Sequence, residues 1–255
     1  MTEQKAMLSC SSAAESADWS GKLMDTITTS ILKEFSDSHQ LNHLKEDSRF
    51  EHFCAFVTLR RHHARTFDTT DIVVGKGGDT GIDSISIIVN GALITDIDEI
   101  EELATRNGYL EANFIFSQAE RSSSFDGSKI GSFGFGVEDF FKSEPSLPRN
   151  PKIVEASAII QAIFKRGNLI RTKPTCRLYY VTTGKWVEDK ALNARKAASI
   201  AALEATQLFS SVEFTCYGAD EIHQLYNQTK TAITRDFVFK ERTGLPKLPV
   251  SSKHS

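Results

Sequence analysis

Residues 77–91 read GGDTGIDSISIIVNG. A glycine-rich turn delivers Ile82, Ile85, Ile87, Ile88 and Val89, β-branched side chains that suit a pleated, buried strand. The run stops at Asn90-Gly91, a strong short hairpin signal because both positions accept positive φ. Ala92 to Thr95 then reads as the returning strand, and Ile72-Val73-Val74 as an apolar lead-in. Two carboxylates, Asp79 and Asp83, stand four residues apart at the mouth of this hairpin. Aspartate beside glycine is an ordinary turn residue. The same pair is also a candidate cation site.

Outward from the hairpin, helix and strand alternate. Leu23, Met24, Ile27, Ile31, Leu32 and Phe35, preceded by Trp19, recur at helical spacing. Phe50, Phe53, Cys54, Phe56, Val57 and Leu59 mark a second helix, closed by Arg60-Arg61-His62-His63-Ala64-Arg65. Cations at a helix C-terminus complement its dipole, so that knot requires no function. A helix is expected over 98–106, ended by Asn107-Gly108, and a strand over 114–120. Residues 122–136, rich in Ser, Gly and Phe, read as a loop before a short helix at 137–141. Further helices are expected at 152–165, 189–208 and 220–228, with strands at 178–181, 212–217 and 233–239. This alternation predicts an α/β fold with a mixed central sheet flanked by helices. Residues 1–17 are expected to form a disordered tail. Residues 18–240 carry the domain with a C-terminal α/β elaboration, and 241–255 read as a linker or truncated end.

Composition narrows the classes. The 255 residues suffice for a sizeable core. No run of about 18 apolar residues exists, so no membrane association is expected. The N-terminus lacks the pattern of a secretory signal, and Cys10, Cys54, Cys176 and Cys216 are scattered. A cytoplasmic protein with reduced thiols is the expectation. Net charge is −3, but its distribution is uneven. Residues 96–120 hold seven acids and one base, and residues 156–203 hold nine bases and two acids. Solvated faces explain such runs, and a phosphodiester-binding face beside a metal would look the same. Gly75-Lys76-Gly77-Gly78 is not a P-loop, there is no GxSxG, and adjacent His62 and His63 point apart on a helix. His223 reads as structural.

What remains is Asp83 at one strand's mouth with Gln118 and Glu120 two apart on a neighbouring strand. Side chains two apart share a face. Oxygen donors at a strand end suit a hard cation such as Mg²⁺.

The stretches GGDTGIDSISIIVNG, FIFSQAERSSSFDG, GSFGFGVEDFF, CRLYYVTTGKW and VEFTCYGADEIHQLY resemble the N-terminal region of AIPR proteins, the abortive-infection phage-resistance family. The resemblance covers most of residues 51–239. GID followed by a strand ending near Gln-x-Lys is also similar to the Mrr-like branch of the PD-(D/E)xK nucleases. It implies a restriction-endonuclease-like core, Mg²⁺ or Mn²⁺ as cofactor, and nucleic acid as partner, with DNA ahead of RNA. By position it implies metal ligation by Glu51, Asp83, Gln118 and the Ala119 carbonyl, and places Gln118 and Glu120 beside Asp83 in the catalytic set. Asp79 would shape the turn or hold contacts behind the ligands. Lys165, Arg166, Lys185, Arg195 and Lys196 are candidate phosphate contacts. Where the family pattern has lysine, this chain has Glu120, which reverses the charge of a group able to orient water and stabilise phosphoryl oxygens. Arg121 falls on the opposite face, and Lys129 could reach in from the loop. Weak or absent cleavage is therefore expected, whether the change is a natural degeneration or a deliberate inactivation. A non-catalytic nucleic-acid-binding or sensing module and a homodimeric interaction scaffold stand as alternatives, with a C-terminal regulatory region outside this chain as a further expectation.

Overall fold

The computed structural model describes residues 24–75 and 80–230. Its centre is a five-stranded mixed sheet in the order β2-β1-β3-β4-β5. Strands β1 (Ser84–Val89) and β2 (Ala92–Ile94) form the expected hairpin, with Asn90 at φ 51° and Gly91 at φ 79°. Two consecutive positive φ values match the right-handed twist of the flanking strands. Strand β1 also runs antiparallel to β3 (Ala112–Glu120). Strand β3 is parallel to β4 (Thr175–Thr182), and β4 to β5 (Ser211–Tyr217). Each parallel step needs a crossover, which the intervening helices supply.

Helices α1 (Thr26–Ser38), α2 (Glu46–Arg60) and α7 (Ala219–Lys230) cover one face of the sheet. Helices α3 (Asp98–Asn107), α4 (Gly127–Phe140), α5 (Pro151–Lys165) and α6 (Lys190–Ala205) cover the other. The period of two divides the strands accordingly. Ile85, Ile87, Phe114, Phe116, Leu178 and Tyr180 pack toward α3–α6. Ile88, Ile115, Tyr179, Val181 and Tyr217 pack toward α1, α2 and α7. All six residues of β1 are buried, which is why its sequence runs apolar with only small polar interruptions. This α/β architecture is the one expected, and it is consistent with a restriction-endonuclease-like core.

Local chemistry sets the helix ends. Asp25 caps α1 by accepting from the amides of Ile27 and Thr28, and Asp189 caps α6 in the same way. Asn150 caps α5, whose first residue is Pro151. Gly108, at φ 69°, closes α3 as its Asn-Gly ending predicted. Arg60 donates to the carbonyls of His63, Ala64 and Arg65, holding the segment that leaves α2. Nε2 of His223 lies 2.8 Å from Thr28 Oγ1 and ties α7 to α1.

The expected loop over 122–136 is the largest departure. From Gly127 onward this segment is helix α4. Asp126 caps it, accepting from the amides of Ser128 and Lys129. Its glycines serve close packing rather than turning. A Cβ on Gly134 would lie 1.9 Å from Ser199 Oγ on α6, and one on Gly136 would lie 2.1 Å from the Thr80 carbonyl. Trp19, Leu23, Asp79, the tails 1–17 and 241–255, and the strand expected at 233–239 lie outside the described residues. Among the described residues no helix is long and apolar enough to cross a membrane.

Candidate functional site

The site is built where β1 begins and β3 ends. Asp83 sits one step before the Ser84–Ser117 pair, which puts it across from Gln118. Its N–H donates to the Ser117 carbonyl at 2.9 Å, and its carbonyl accepts from Val74 N–H at 2.8 Å. Its Oδ2 accepts the Ala119 N–H at 2.7 Å. The carboxylate thus replaces the next rung of the ladder and stays fixed at the sheet rim. Because Ser117 C=O and Ala119 N–H both face β1, strand alternation turns the Ala119 carbonyl to that side as well.

Gln118 pairs on its other side with Tyr180 of β4. Asp83, Gln118 and Tyr180 therefore form a row across three strands, on the face covered by α4. Gln118 Oε1 and the Tyr180 hydroxyl are both buried without a hydrogen-bond partner among the described residues. Buried polar atoms are overwhelmingly paired, because stripping water from one costs about 1–3 kcal/mol. Arg49 Nε and the Tyr217 hydroxyl are further exceptions among the described residues, but only Gln118 and Tyr180 stand at paired positions, which makes this row a candidate ligand site. Burial pushes the Tyr180 phenol up, and the charges of Glu120, Asp126 and Asp83 add to that effect. The phenol thus keeps its proton as a donor. Sequence reasoning missed Tyr180, because only the parallel register of β3 and β4 brings it beside Gln118.

Glu120 is on the same face, and Oε2 meets Lys129 Nζ at 2.7 Å. Lys129 comes from the first turn of α4, not from a loop. Arg121 points the other way, pairing with Glu46 at 2.9 Å and Asp47 at 2.5 Å on α2. Glu51 belongs to α2, in the layer across the sheet from Gln118. The buried Cys54 thiol, one turn along α2 from Glu51, is pushed up by burial, and then by the charges of Asp83 and Glu51.

The residues present test the expected cation. Among the described residues no three His, Cys, Asp or Glu side chains form a metal-holding group. Mg²⁺ does not require one, since one or two carboxylates with retained waters suffice. Asp83, the unpartnered Gln118 oxygen and the Ala119 carbonyl offer oxygen donors of that kind, so the set fits a hard divalent ion.

The five candidate phosphate contacts do not share one surface. Lys165 and Arg166 end α5, where Arg166 pairs with Glu101 at 3.4 Å and Leu169 bonds Leu110, next to the start of β3. The other three gather near the candidate site. Arg195 lies along Gly127 and Gly131 of α4. Lys196 Nζ sits 5.1 Å from the Trp186 ring, beside Lys185. An aromatic path, Tyr180 to Phe125 to Trp186, links the orphan hydroxyl to these bases, with centroid separations of 6.0 and 4.8 Å. The chain matches no family model, no curated protein and no solved structure.

Proposed function

We propose that this chain is a metal-dependent nuclease domain of the kind its resemblance to AIPR proteins implies, with attenuated chemistry. The observation that carries the reading is the Asp83–Gln118–Tyr180 row with its two unpartnered buried polar atoms. Asp83, Gln118 and the Ala119 carbonyl would hold Mg²⁺ or Mn²⁺, with Glu51 able to add charge from α2. Such an ion, when bound, activates water and offsets charge on phosphoryl oxygens. The Tyr180 O–H would be the donor to a substrate oxygen in the same row. Lys185, Arg195 and Lys196 supply the phosphate-binding surface beside Trp186, whose ring suits stacking with an unpaired base.

Lys129 supports the attenuated form of the reading. It brings an amine to the face where the family pattern has lysine, but Glu120 neutralises it. A cation compensated at 2.7 Å stabilises developing negative charge less than a bare one. A plasmid-nicking assay with Mn²⁺ tests this. Glu120→Gln and Glu120→Lys are expected to raise nicking at least tenfold, roughly 1.4 kcal/mol of barrier, and Lys129→Ala to remove what the parent shows. Folded Glu120 variants that leave DNA intact would reject the catalytic reading. The same ion pair favours a second reading, nucleic-acid binding without chemistry. That reading expects DNA retention that falls with salt and ignores the divalent ion.

A further inference from the structure

At the opposite end of the sheet, a cleft of about 490 Å³ opens beside the start of β3 and β4. Its volume suits a nucleotide-sized molecule. Asn113 of β3 lies five strand steps from Gln118, roughly 17 Å, and Arg177 of β4 lies three steps from Tyr180, roughly 10 Å, on the opposite face of the sheet, so this cleft is separate from the Asp83 row.

Its floor is an ordered polar network. Asn113 Oδ1 accepts from Thr175 Oγ1 and from Arg177 Nη1, each at 2.6 Å. Arginine only donates, which fixes that atom as the amide oxygen. The Asn113 N–H groups have no partner among the described residues, and Asn113 lines the cleft. Arg177 is held rigid by Glu213 through Nε at 3.2 Å and Nη2 at 3.3 Å. Lys173 also lines the cleft, and no ion pair holds it among the described residues. At the rim, the Arg171 guanidinium lies 3.9 Å from the centroid of Tyr109, another lining residue. Asn90 braces the wall by clamping the Tyr109 carbonyl and the Glu111 amide at 3.0 and 2.8 Å. The cleft thus presents donors and the cations Lys173 and Arg177, the first without an ion pair among the described residues, against one lining carboxylate, Glu111, on a scaffold that is already ordered. A ligand that only accepts hydrogen bonds and carries negative charge meets that description.

We infer that this cleft binds a small organic phosphate of nucleotide size, at a site separate from the candidate nuclease row. The Arg171-covered Tyr109 ring would receive the organic part, and Lys173 with the Asn113 amide the phosphate.

Calorimetry on the full chain, with adenosine 5′-monophosphate, ribose 5-phosphate and inorganic phosphate as probes, tests the inference. Saturable binding of at least one organic phosphate below roughly 0.5 mM is expected, with inorganic phosphate about tenfold weaker or more. Lys173→Ala and Arg171→Ala are each expected to weaken binding about tenfold. Both side chains are exposed, so the melting temperature should hold. Asp83→Ala should leave this binding intact, which separates the cleft from the nuclease row. The inference fails if no organic phosphate binds saturably. It also fails if inorganic phosphate binds as tightly, if the Lys173 and Arg171 variants bind like the parent, or if Asp83→Ala abolishes binding.

Discussion

Gln118 carries a cost that the fold alone does not explain. Its Oε1 is buried and unpartnered, beside a carboxylate fixed by the backbone of the next strand. Methionine has nearly the same length and no polar atom to strand. Gln118→Met should therefore raise stability by about 1–2 kcal/mol in urea unfolding. The same change should abolish Mn²⁺ binding measured by calorimetry, as should Asp83→Ala. If Gln118→Met loses stability, the oxygen has a partner that offsets its burial, and the site loses its strongest support. The residue scale is also where sequence reading was least complete. Asp83 and Gln118 were legible because a strand mouth and a period of two bring them to one face. Tyr180 was not, because a parallel register places it there, and Lys129 was anticipated only as reaching in from a loop, whereas helix α4 carries it. A parallel register leaves no local signature.

Among the elements, the hairpin and α4 show opposite relations between sequence and structure. Asn90-Gly91 specifies its turn through backbone sterics alone, so two residues sufficed to place β1 and β2. Helix α4 contains glycines that lower helix propensity by about 1 kcal/mol each, and local propensity therefore argues for a loop. Tertiary packing overrides it. Ile130, Phe133, Val137 and Phe140, all buried, recur at helical spacing behind the Asp126 cap, and that pattern was readable. Of the glycines that obscured it, Gly127, Gly131 and Gly134 face α6, and Gly136 meets the Thr80 carbonyl. Gly134→Ala tests this. On an exposed helix the change stabilises by nearly 1 kcal/mol. Here the new methyl would lie 2.5 Å from Ser199 Cβ, which no rotamer relieves. A loss of about 2–3 kcal/mol is expected. Adding Ser199→Gly should restore a large part of it, since it removes the opposing Cβ. A Gly134→Ala protein as stable as the parent would show that α4 and α6 are not in close contact.

Across the whole molecule, acid sensitivity should arise in the layer of α1, α2 and α7. His52, His62 and His63 belong to α2 or follow it directly. All three are held below the ordinary histidine range, chiefly by burial. For His62 the value falls to about 4, with the charges of Arg177 and Arg61 adding to desolvation. Its Nε2 lies 2.6 Å from the Tyr179 hydroxyl, in the seam between α2 and β4. A depressed folded value means that the unfolded chain binds the proton more readily. The stabilisation is complete above about pH 6.5, the unfolded value, and is lost as pH falls toward about 4. The carboxylates Asp25, Asp68 and Asp139 are also depressed. They act in the same direction at lower pH, so nothing among these groups offsets the histidines. The urea midpoint should therefore fall steadily from pH 7 to pH 4.5. His62→Gln keeps a polar partner for Tyr179 and removes the titration. It should reduce that fall by about 2 kcal/mol, less than the full shift because His62 is only partly buried. If the variant and the parent lose stability in parallel over this range, the seam between α2 and the sheet is not what acid opens.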